Sequence, residues 1–399
     1  MINGIIKCLS FAQKINFLTC KYLESIMKPL ENILVVSLEQ AVAAPFCSVR
    51  LADSGARVIK IERTEGDFAR YYDKDVKGES ANFVWLNRGK ESLVADIKNK
   101  EDQLLIQKII SKADVYIQNL TPGAAERAKL GSKDLRIIND KLITCDISGY
   151  GQTGSYSQRK AYDLLVQAES GLCSITGNPD SPGRVGVSVC DIACGLNAHS
   201  AILQALLVRE KTGKGCGIEI SLFDGMADWM NVPYLQTVYG SRSVKRVGLS
   251  HPSIAPYGAY VSKCGKKILI SIQNEREWIQ LCSSVLMLHD LSKDERFNKP
   301  TNRVKNRIAL DQIISNEFIK YNKDVLLERL RRGKIACGVL NSINDLENHP
   351  QLRKVKCIIG DEEVELIAPP SIIEGEENKI SKIPNIGEDS INIRKEFNE

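Results

Sequence analysis

The chain has 399 residues, more than one ordinary hydrophobic core serves, so a large lobe carrying a smaller one is expected. Its 43% hydrophobic and 26% charged residues are those of a globular protein, with no proline, glycine or serine tract and no single-sign charge block to mark a disordered tail. A formal net charge of +5 is too small and too evenly spread to argue for nucleic acid, but it suits an anionic small molecule. No apolar run approaches the roughly eighteen residues of a membrane helix, so no membrane partner is expected. The twelve cysteines include no C-x-x-C pair and mostly lie in apolar runs such as LITCDI and SGLCSI; they read as buried free thiols in a reducing compartment. The four histidines show no ligand spacing, and no metal is expected.

Residues 1–27 read as an N-terminal extension. Lys7, Lys14 and Lys21 oppose one acid, Glu24, ahead of a second methionine, Met27. An upstream start or a loose helix is the plainer reading and places the protein in the cytoplasm. A cleaved presequence, which would place it in the mitochondrial matrix, lacks the arginines such segments carry.

From Asn32 short apolar runs rich in β-branched residues alternate with helical segments, the pattern of an α/β fold with a doubly wound parallel sheet. The expected strands are 33–38 (ILVVSL), 57–62 (RVIKIE), 92–97 (SLVADI), 114–119 (DVYIQN), 142–147 (LITCDI) and 217–222 (GIEISL). Between the first two, Pro45 opens a helix and Gly55 closes it. The turn after the first strand reads EQAVAAP, without the glycines a bound pyrophosphate demands, so nicotinamide and flavin cofactors are excluded. FDGMADWMNVPYLQTVYG reads as a helix leaving this lobe. A hairpin around Lys263 to Lys267 and helices to about Leu330 form a smaller α+β domain. The boundaries are a large domain over 28–225, a small one over 226–329, and a segment over 330–399 returning to the large domain.

Asp191, in VGVSVCDIACGLNAHSAIL, stands where a strand-like run (185–189) gives way to a long apolar helix. Its ordinary role there is a helix N-cap. The same place favours an ionised carboxylate, which covalent acyl transfer needs. Arg63, Lys98, Arg127 and Lys160 follow strands or open helices. Singly they read as solvated charges, but together, at the carboxyl edge of a parallel sheet, they suit a phosphorylated ligand. Asn119 ends a strand at the same edge, as a polar contact or a turn former. Cys190 reads as a buried thiol and GYGQTGS (149–155) as a loop.

From about residue 28 to 399 the chain resembles the class III CoA-transferases, a family that includes formyl-CoA transferase, carnitine CoA-transferase and α-methylacyl-CoA racemase. ENILVVSLEQAVAAPF, DSGARVIKIER, NRGKESLVADIK, ADVYIQNLTPGAAERAKLG, ISGYGQTG, AYDLLVQAESGL, VGVSVCDIACGLNAHSAIL and CGVLNSINDLENHPQL carry the resemblance, in order and spacing. The resemblance implies an intertwined homodimer and no cofactor beyond CoA as substrate. It also implies that Asp191 becomes a mixed anhydride and then an aspartyl-CoA thioester, that Arg63, Lys98, Asn119, Arg127 and Lys160 contact CoA, and that Tyr162 lies near the thioester. The racemase branch has a histidine at the position of Tyr162, and a phenol titrating at about 10 is a poor acid/base substitute. The formyl-type glycine loop is replaced by GLSHPSIAPYGAY, so formyl and oxalyl transfer are disfavoured. The resemblance is to enzymes using succinyl-CoA and a C4–C5 dicarboxylate such as itaconate, mesaconate, malate or glutarate. Intramolecular CoA transfer, racemization, or acyl-CoA binding without catalysis are the alternatives.

Overall fold

The computed structural model describes residues 28–398 apart from 242 and 376–379; the expected extension over 1–27 lies outside the described residues. Two compact units are present. Of the described residues, those over 28–166, 186–229 and 353–398 form one, and those over 167–185 and 230–352 form the other.

The first unit is built on six parallel strands: β1 (Leu34–Leu38), β2 (Arg57–Glu62), β3 (Lys90–Val94), β4 (Val115–Gln118), β5 (Ile143–Ser148) and β6 (Gly217–Ser221). Their spatial order is β3-β2-β1-β4-β5-β6, so the direction of winding reverses between β1 and β4. All six expected strands form, shifted by no more than a few residues. Helices α1 (Ala43–Asp53), α2 (Ala81–Asn87), α3 (Lys100–Ser111), α4 (Asp163–Glu169), α5 (Val189–Thr212) and α6 (Leu222–Trp229) belong to the crossovers and loops between strands. Cover on both faces is why the strands read as apolar runs rather than as alternating ones. Val36, Ile59, Leu93 and Tyr116 lie in the core on one face, together with Ile106, Ile109 and Ile110 of α3.

No strand forms over 185–189, and α5 begins at Val189. Its 24 residues are long and apolar enough on average to cross a membrane, contrary to the sequence expectation. Asp191 and Arg209 sit near its two ends, and no Asp, Glu, Lys or Arg lies between them. Val189, Cys190, Ala193, Cys194, Ala198 and Ile202 form its buried stripe, and it packs against α1, α6, β5 and β6.

The helix expected over FDGMADWMNVPYLQTVYG breaks at Met230 into α6 and α7 (Asn231–Val238). Pro233, at the third position of α7, has no N–H to continue a helix from α6 and would clash with the carbonyl four residues back. The second unit holds a three-stranded sheet in which β8 (Lys267–Ser271) pairs antiparallel with β7 (Tyr257–Val261) and β9 (Ala336–Val339). Its own core gathers Tyr260, Ile268, Ile270, Trp278, Phe297, Leu310 and Phe318.

Within the first unit, the described residues after 352 form strands β10 (Lys354–Ile359), β11 (Glu362–Ile367) and β12 (Ser381–Ile383), then helix α8 (Ser390–Asn398). Ile393 and Phe397 of α8 enter the sheet's core. The outer amides of edge strand β3 are capped by the same segment: Ser92 N donates to Asp389 Oδ2 at 2.8 Å and Val94 N to Ser390 Oγ at 3.0 Å.

Candidate active site

Parallel strands put all their carboxyl ends at one edge, and Arg63, Lys98, Asn119, Arg127 and Lys160 all follow strands there. The N-terminus of α5 comes to the same edge. Its far end is fixed at the opposite edge, where Arg209 pairs with Asp114 at 2.9 Å and donates to the Lys141 carbonyl at 3.4 Å, just before β4 and β5 begin.

Asp191 is the third residue of α5 and is not its cap. Ser188 holds the N-cap position without a side-chain bond, and the first-turn amide of Cys190 donates to Asp163 Oδ1 at 2.8 Å. The capping alternative is thereby corrected: the capping oxygen comes from α4, and Asp191 is left over. Among the described residues no hydrogen bond holds the Asp191 carboxylate. Burial first, and the Asp163 charge second, push it up to about 7. Tyr162 immediately precedes α4 and is 66% exposed. It is set by Ala161, which lies against Gly149 at the end of β5; a Cβ on Gly149 would come within 2.2 Å of the Ala161 Cβ. Tyr72, which sequence reasoning passed over, belongs to this group. Burial, then the charges of Asp67 and Asp191 and the neighbouring Tyr162, push its phenol up to about 12.

Beside this group, a crevice of about 540 Å³ opens at the carboxyl ends of β1 to β4. Arg63 and Lys98 line it with Glu39, Gln40, Asp67 and Thr121. The Asn119 side chain is spent on the turn after β1: Gln40 N donates to its Oδ1 at 2.9 Å, and its Nδ2 donates to the Gln40 carbonyl at 2.8 Å. Arg127 and Lys160 are exposed on later segments and do not line this crevice. The structure therefore brings Arg63 and Lys98 together. Asn119 acts as a clip beside them, and Tyr162 stands with Asp191.

Beneath the crevice lies a buried charge network that the apolar look of the strands conceals. Parallel register aligns Ser37, Lys60 and Ser92 across β1, β2 and β3, on the sheet face that Glu62 and Lys90 share by the two-residue repeat. Glu39 Oε1 pairs with Lys90 at 2.6 Å and with Lys60 at 3.4 Å, and its Oε2 accepts from Ser37 and Ser48, each at 2.5 Å. Asp67 pairs with Lys60 at 2.9 Å, and Glu62 with Arg70 at 2.7 Å. Burial alone would raise Glu39, but Lys90 and Lys60 overcome it and hold the carboxyl at about 2. Burial brings the Lys90 ammonium down to about 8 against the pull of Glu39.

Among the described residues no cluster of His, Cys, Asp and Glu could hold a metal ion, and Cys190 is buried in the first turn of α5. The site thus offers a cationic crevice for an anion and, at the same edge, a poorly solvated carboxylate able to attack a carbonyl.

Residues 30–390 match the model of CoA-transferase family III. Over 334 residues the chain is 35% identical to a succinate–glutarate CoA-transferase of Agrobacterium fabrum, an alignment covering 82% of this chain and 83% of that one. Over 374 residues it is 32% identical to an acetyl-CoA:oxalate CoA-transferase of Acetobacter aceti, covering 92% and 96%. Among solved structures, a CaiB/BaiF family protein from Brucella suis matches with a TM-score of 0.83 at 34% identity, over 93% of this chain and 99% of that one.

Proposed function

We propose that this chain, which belongs to CoA-transferase family III and is therefore an enzyme moving CoA from an acyl-CoA donor to a carboxylic acid, takes CoA from succinyl-CoA to a dicarboxylate. The acceptor is a C4–C5 acid such as itaconate, mesaconate, malate or glutarate. Support for the acid class comes from the relative named for succinate and glutarate. The oxalate-named relative adds a two-carbon dicarboxylate to the acids worth testing.

Asp191 carries the chemistry in this proposal, and the observation behind it is a half-buried carboxylate at the carboxyl edge of the sheet that, among the described residues, no hydrogen bond satisfies. Its oxygen attacks the donor thioester carbonyl, the C–S bond breaks, and CoA thiolate leaves a mixed anhydride. The thiolate attacks the aspartyl carbonyl, expels succinate, and forms an aspartyl-CoA thioester. The acceptor carboxylate then displaces the thiolate from that carbonyl. The thiolate finally attacks the acceptor's carbonyl, which restores Asp191 and frees the new acyl-CoA. Each step joins an anion to a carbonyl and consumes no net proton.

Arg63 and Lys98, with Arg127 and Lys160, hold the phosphates of CoA; Asn119 shapes the turn beside them. Tyr162 and Tyr72 flank the acyl group and keep water from the anhydride. Racemization needs a proton shuttle at the α-carbon, for which Tyr162 is poorly suited. The working form is a homodimer, as the family resemblance implies. The second unit is consistent with this: α7 buries none of its residues and leaves Val232, Tyr234, Leu235 and Val238 exposed.

The test is an exchange assay with succinyl-CoA and a panel of mono- and dicarboxylates, with hydroxylamine trapping of the enzyme after acyl-CoA alone. Exchange with dicarboxylates and a hydroxamate at Asp191 are expected. Exchange confined to monocarboxylates removes the acid class, and an unmodified Asp191 peptide removes the mechanism.

A further inference from the structure

Ala41 adopts a left-handed backbone (φ 64°) at the turn between β1 and α1, a conformation a residue with a Cβ rarely takes unless its surroundings enforce it. The preceding Gln40 is clipped on both sides by Asn119. The Ala41 amide itself donates to Asp67 Oδ1 at 3.1 Å. The same oxygen accepts from Ala69 N at 3.0 Å, capping the short 3-10 turn Phe68–Tyr71 from which Tyr72 follows. Asp67 is in turn immobilised: it is 4% exposed, its Oδ2 meets the wholly buried Lys60 at 2.9 Å, and its own amide donates to Glu62 Oε1 at 3.0 Å.

We propose that Asp67 is a positioning residue whose one carboxylate holds the left-handed turn at Ala41 and the turn leading to Tyr72 in a single arrangement, so that the CoA crevice and the acyl group's surroundings are set together. This rests on the assignment of CoA to the crevice and of attack to Asp191. Asp67 touches no reacting atom. It acts through the main chain at Ala41 on one side and through Tyr72 on the other. Lys60 and Asp67 are therefore more than neutralised core charges, because the pair ties the wall of the phosphate crevice to a ring beside the nucleophile.

The experiment measures three quantities for each variant: CoA binding by calorimetry, the rate of adduct formation at Asp191 after mixing with succinyl-CoA, and thermal stability. Asp67→Ala is expected to weaken CoA binding roughly tenfold and to slow the adduct about a hundredfold, since small misplacements cost that much at a reacting centre. Asp67→Asn keeps an oxygen for the Ala41 and Ala69 amides and falls between; it carries the comparison if the alanine variant does not fold. Ser92→Ala removes a hydrogen bond to Glu62 in the same network without touching Ala41 or Tyr72, and it should lower stability alone. Adding Ala41→Gly to Asp67→Ala should recover CoA binding, because glycine takes this backbone freely, while the adduct stays slow. Asp67 variants that bind CoA and form the adduct at wild-type rates, or that lose stability alone as Ser92→Ala does, overturn the inference. A wild-type enzyme that neither binds CoA nor forms the adduct overturns the underlying assignment instead.

Discussion

Glu39 is buried and Asp191 half-buried in the first unit, and their surroundings displace the two carboxylates in opposite directions. Glu39 has two ammonium groups and two hydroxyls within hydrogen-bonding reach and is held at about 2. Asp191 has a second carboxylate, Asp163, as its electrostatic neighbour and, among the described residues, no hydrogen bond, and it is pushed to about 7. Desolvation acts on both, so the difference lies in compensation. A compensated carboxylate serves the fold, whereas an uncompensated one stores free energy that bond formation to carbon releases.

The contrast fails first if Asp191→Asn still turns over. An amide oxygen cannot form the anhydride, so a loss on the order of a thousandfold or more in kcat is expected, measured by CoA exchange with folding checked by circular dichroism. Glu39→Gln should spare the nucleophile but leave Lys90 without its carboxylate partner and Lys60 with Asp67 alone, at a cost of roughly 3 to 5 kcal/mol in denaturant unfolding. Stability against pH separates the two further. Asp191 has a folded pKa above its unfolded value of about 3.9, so its cost to stability is absent below that pH, grows as pH rises to about 7, and is complete above. Asp191→Asn should therefore be more stable than wild type at neutral pH, by on the order of 2 to 4 kcal/mol, and no more stable near pH 3. Glu39 has a folded pKa of about 2, below its unfolded value, so its contribution is present above about pH 4 and is lost as pH falls toward 2. Adduct formation should rise with pH through about 7, as the Asp191 carboxylate ionises. The smallest effects belong to the exposed cations: Arg63→Ala or Lys98→Ala should raise KM for every CoA ester alike, by about tenfold. An effect that changed with the acyl group would place that residue outside the phosphate site.

Much of this unit was legible in the residues alone. ILVVSL, RVIKIE and DVYIQN declare buried strands because helices cover both faces, and the glycine-free EQAVAAP turn argues against a bound dinucleotide. The strand order nonetheless equals that of dinucleotide-binding folds, with the left-handed turn falling on Ala41 instead of a glycine. Asp191 stood out by its place at a helix start, but its cap alternative could not be weighed locally. The oxygen that caps the helix lies 28 residues upstream in Asp163, and only packing reveals it. Lys60, Glu62 and Lys90 were hidden inside apolar runs. Their signal is parity, charged residues on one face of adjacent strands, and it becomes visible only once register is known. Tyr72 lies in a stretch without periodicity, where neither helix nor strand reasoning reaches.

The route of the chain through the first unit has a consequence for biosynthesis. Ile393 and Phe397 complete the core of a sheet whose last strand ends at Ser221, and residues 230–352 of the other unit are made in between. At ribosomal speeds that interval is on the order of ten seconds. Throughout it, the core face that α8 covers and the amides of Ser92 and Val94 lack their partners. The nascent enzyme thus passes through a stage with an open sheet edge, and chaperone occupancy during translation should peak after β6 emerges and fall once α8 does.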